Sequence, residues 1–222
     1  MKKLASVLAM AGLGLVISGC SWLPFFGGGG GAGANDMAKM MKDSAQAPYL
    51  VQVHEGMAVG QYAVTEMMGG TKQWWGCTGE KDGNKVVEMR MEMAGQGWIT
   101  YAYVVDAEGN TQSAYIANYD PEAEELSEGY EIKIMEKTDA PAGEAPEAET
   151  GEETVNAAGK DWDCTWTKTE HGKSWIAKDG WFSKVIKVEG ADGKVVMELK
   201  EIGEDATLGL KWPGEGGEEA GE

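Results

Sequence analysis

From Tyr49 onward the chain alternates apolar and polar residues with a period of two, the signature of strands with one buried face. Strands are predicted at 60–67, 72–78, 85–93, 98–106, 111–118, 129–136, 160–169, 173–178, 182–189 and 194–202. Asp82-Gly83-Asn84, Glu108-Gly109-Asn110 and Ala191-Asp192-Gly193 supply turn chemistry between them. The clearest strand is 160–169, where Trp162, Cys164 and Trp166 share one face and Asp161, Asp163, Thr165 and Thr167 the other. Ahead of this series, Asn35 or Asp36 caps a short helix carrying Met37, Met40, Met41 and Ala45, and Pro48 ends it. The fold class expected is mainly β: a curved antiparallel sheet or half-open barrel with a short N-terminal helix.

Three stretches break the pattern. Residues 1–19 run from Lys2-Lys3 through an apolar segment, Leu4 to Ile17, to Ser18-Gly19. That is the layout of a secretory signal, and it falls short of the roughly 20 apolar residues a membrane span needs. Residues 139–153 are an acidic Pro/Ala/Glu run without apolar period, expected to be a disordered insertion. The acidic tail 203–222 offers only Leu208, Leu210 and Trp212 for an edge contact. The β domain thus spans 35–202. Its halves echo one another, Lys72-Gln-Trp-Trp-Gly-Cys77 against Lys160-Asp-Trp-Asp-Cys164, and Asp82-Gly83 against Asp192-Gly193.

The segment Leu15-Val16-Ile17-Ser18-Gly19-Cys20 resembles the lipobox of bacterial lipoproteins. The resemblance implies cleavage between Gly19 and Cys20, lipid on the Cys20 thiol and acylation of the new amino end. The partner so implied is a lipid bilayer, held firmly because more than one acyl chain acts together. Ser21 in place of Asp favours the outer membrane of a Gram-negative envelope, by the same resemblance. Residues 20–34, with Gly27–Gly31 and Gly33, then form a flexible leash of about 20 Å. No strand precedes this glycine run and no Lys-Ser/Thr follows it, so it is not a phosphate loop.

Composition narrows the partners further. The formal charge is −18, and loss of Lys2 and Lys3 with the signal makes it −20, which argues against nucleic acid and anionic headgroups. After processing, Cys77 and Cys164 are the remaining pair. They form either a bridge or two buried thiols, and an oxidising envelope favours the bridge.

The phrase Gly56-Met57-Ala58-Val59-Gly60-Gln61-Tyr62-Ala63-Val64 is similar to the opening strand of the LolA/LolB-like superfamily of bacterial envelope proteins. The stretch 158–164 running into 174–180 resembles the second half of the same group. Over residues 49–202 this likeness implies a half-open barrel whose concave face shelters an apolar ligand, with no catalytic residues. The insertion at 139–153 departs from that pattern. Trp98, Tyr101, Tyr103, Trp162, Trp166 and Trp175 are the candidate ligand-lining residues, or else core.

Chemistry beyond binding finds little support. His54 and His171 are the two histidines, with no Gly-x-Ser-x-Gly elbow and no metal-ligand pair, and each reads as a surface residue. Met89, Met91 and Met93 alternate along one strand, a soft donor set for Cu(I) but more simply core filling, with Glu88, Arg90 and Glu92 on the solvent face. The acids of 120–128 and 144–153 lack calcium-loop spacing. The function expected is a non-enzymatic, cofactor-free envelope lipoprotein that binds or scaffolds. A lipid or lipoprotein carrier is the alternative, and a copper protein or hydrolase ranks below both.

Overall fold

The computed structural model describes residues 37–51, 56–93, 97–137, 147–178 and 185–214. The signal peptide, Gly19, Cys20, the leash and His54 lie outside them. Eleven strands form a single antiparallel sheet in the order β7-β6-β5-β4-β3-β2-β13-β12-β11-β10-β9, curved but not closed into a barrel. Two meanders build it. The first runs β2 (Tyr62–Met67), β3 (Lys72–Lys81), β4 (Asn84–Met93), β5 (Gly97–Val105) and β6 (Thr111–Tyr119). The second runs β9 (Glu149–Ala157), β10 (Lys160–Thr169), β11 (Gly172–Ala177), β12 (Val185–Gly190) and β13 (Val195–Gly203). Pairing of β13 with β2 joins them. Register shifts place one extra residue in each of β3, β6 and β12 and two in β13, and such insertions bend a sheet.

The predicted strand 129–136 is instead two fragments, β7 (Tyr130–Glu131) and β8 (Lys133–Ile134), because Ile132 turns inward and donates its N–H to Ala114. β8 pairs in parallel with β1 (Gln46–Ala47). The helix is short, α1 (Met37–Met41), and rests on β6, where Asn118 Oδ1 accepts from the Ala38 N–H at 3.0 Å. Met37 and Ala38 are its buried residues, while Met40, expected on the apolar face, is 69% exposed.

Two expectations are corrected. The span 139–153 is not uniformly featureless, since 149–153 belong to β9. Cys77 and Cys164 are free thiols rather than a disulfide. Both are buried in the main core, as the echo between the halves suggested, yet four strands lie between β3 and β10 in the sheet. They belong to different meanders, β3 in the first and β10 in the second, and their sulfurs are not bonded to one another. Each thiol lies instead near a carbonyl of its own strand, Gly79 at 4.0 Å and Trp162 at 3.5 Å. Nor do the echoed turns mark one repeat, because Asp82-Gly83 directly follows the Cys77 strand whereas Asp192-Gly193 joins β12 to β13. Burial pushes both thiols above their ordinary pKa. A thiol reagent is therefore expected to label Cys77 and Cys164 only after denaturant is added, and equal labelling of the native protein would contradict their burial.

Candidate functional site

The concave side is where the sequence places a ligand, and five of the six candidate aromatics do face it. Along β5, Ile99, Tyr101, Tyr103 and Val105 point inward, and Tyr103 stacks on Trp75 at 6.3 Å and on Tyr101 at 6.5 Å. Burial raises the pKa of both tyrosines, so their hydroxyls stay protonated. From the second meander, Trp162 and Trp175 are buried and Trp166 packs against them in the same core. The sixth candidate, Trp98, is a correction: it opposes Glu92 and Tyr119 on the convex face, because strand alternation separates it from Tyr101 and Tyr103.

These rings are already engaged by the chain itself. Trp162 Nε1 donates to the Ala157 carbonyl at 3.0 Å and Trp175 Nε1 to Glu153 Oε2 at 2.9 Å. Those donations, first from Trp175 and then from Lys173, hold Glu153 below the usual carboxylate range. Lys173 Nζ sits 4.5 Å from the Trp166 ring and 4.3 Å from the Trp175 ring. Met37 and Ala38 of α1, with Ala47, Val51 and Met57, are buried in the same core. A shallow hollow of about 220 Å³ lies at the β2–β3 turn and the start of β13, away from the concave face.

The convex face holds what the sequence did not disclose. Glu88 and Arg90, expected in water, are 0% and 6% exposed. Arg90 donates to Glu88 Oε2 through Nη2 at 2.8 Å and Nε at 3.1 Å. Glu88 also accepts from Thr78 at 3.1 Å, Thr100 at 3.2 Å and the Gly209 N–H at 2.9 Å. Arg90 lies between the rings of Trp74, 4.0 Å away, and Tyr119, 4.3 Å away, and donates to the Thr207 carbonyl. The cover is the segment following β13, whose Leu208, Leu210 and Trp212 pack on Val86, Ala102, Val104 and Ala117. The alternation Leu208-x-Leu210-x-Trp212 was the available signal. Beside the same face, Tyr62 donates to Glu201 Oε1 at 2.6 Å, and that bond lifts its hydroxyl pKa to about 12.

No protein-family model and no curated protein matches the chain. It is similar in structure to MucB. That crystal structure shares 12% sequence identity at a TM-score of 0.35, over 73% of this chain. The chain spans about half the length of MucB, 56%.

The remaining candidates are dispersed. His171 lies in the β10–β11 turn, 81% exposed beside Glu170. Met89 packs into the core with Gln73 Nε2 3.1 Å from its sulfur. Among the described residues no three His, Cys, Asp or Glu side chains converge as metal ligands, and no helix is long and apolar enough to cross a membrane.

Proposed function

We propose that the protein is a lipid-anchored component of a bacterial cell envelope that binds or scaffolds and performs no chemical step. What supports this best is the use of the concave side: Met37 and Ala38 of α1, with Ala47, Val51, Met57 and aromatics of both meanders, are buried there. A sheet filled on that side is a rigid platform, so recognition falls to its outer surface and its ends. Burial of the Glu88–Arg90 pair beneath the chain's own C-terminal segment stiffens that platform and leaves the pair no opening to a substrate. Cys20 supplies the anchor, the glycine leash the reach, and Ser21 directs the protein to the outer membrane.

The test is a paired one. Mass spectrometry of the mature amino end is expected to find acylated Cys20, and Cys20→Ser to leave the protein out of the membrane fraction. An unmodified amino end removes the anchor from this reading. An apolar fluorescent probe is expected to show no stoichiometric uptake. One-to-one uptake would instead make the protein a carrier, with the aromatics Tyr101, Tyr103 and Trp166 as its lining.

A further inference from the structure

We draw no further inference here: the strongest candidate, the apolar patch that Met68 and Val195 form at the hollow beside the β2–β3 turn, lies open to solvent, and nothing in the structure shows what covers it.

Discussion

Arg90→Ala is expected to lower the stability of this protein by about 3–5 kcal/mol, far more than loss of any surface ion pair. The reason is what remains behind. Glu88 is fully buried, and without Arg90 its charge is left with Thr78, Thr100 and the Gly209 N–H, which are dipoles and not a counter-ion. The Thr207 carbonyl loses its donor, and Trp74 and Tyr119 lose the cation between their rings. Arg90→Lys is expected to recover only part of the loss, because an ammonium cannot reproduce the two-nitrogen contact with Oε2 while lying flat between two aromatics. Replacing Glu88 and Arg90 together by Met removes the stranded charge, and that double variant is expected to be more stable than Arg90→Ala. It still leaves the Gly209 N–H without its acceptor, so recovery falls short of complete. Urea unfolding of the four proteins measures this: midpoints should fall in the stated order at constant slope. A loss under about 1 kcal/mol for Arg90→Ala would mean that water reaches the pair.

This network also marks where the sequence stops being readable. β10 is legible because both faces obey one rule, with Trp162 and Cys164 inside and Asp161 and Asp163 in water. β4 obeys the same pattern and breaks the rule, since the face carrying Glu88 and Arg90 is roofed by residues more than a hundred positions away. Alternation reports two chemically different faces, and it cannot say that the polar one is wet. β9 fails for the opposite reason. As an edge strand it is exposed at most positions, so Glu149–Thr154 needs no apolar residue, and its β character lies entirely in main-chain pairing with β10. The cysteines divide the same way. Inward orientation was written in the local pattern, whereas distance across the sheet depends on strand order, which local patterns do not encode. For the candidate site the outcome is parallel: Tyr101, Tyr103, Trp162, Trp166 and Trp175 share the inner face, but nothing in their spacing announces that Met37, Ala38 and Met57 are buried in the same core.

Ending the chain at Gly203 is expected to be at least as damaging as Arg90→Ala, at about 4 kcal/mol or more. The segment beyond β13 is tied down along its length. Ala206 donates to the Gly60 carbonyl at 2.8 Å, and Lys211 exchanges main-chain bonds of 2.9 Å with Ser127 and Gly129. Leu210 is fully buried, and the Trp212 ring lies 3.8 Å from Lys81 Nζ. Its removal bares Val86, Ala102, Val104 and Ala117, and takes from Glu88 and Arg90 the Gly209 N–H and the Thr207 carbonyl together. A dye that reports exposed apolar surface should bind the truncated protein and not the full chain. Gly209→Ala offers a finer version of the experiment. A methyl group there would stand 2.8 Å from Glu88 Oε2 and 2.9 Å from Arg90 Nε, so either those side chains or the segment must give way while the chain stays whole. Because Gly209 and Arg90 act on the same carboxylate, Gly209→Ala and Arg90→Ala combined should cost less than the two losses added, by about 0.5–3 kcal/mol. Additive losses would show that the C-terminal segment is held by Leu210 and its neighbours alone, with the ion pair merely lying beneath it.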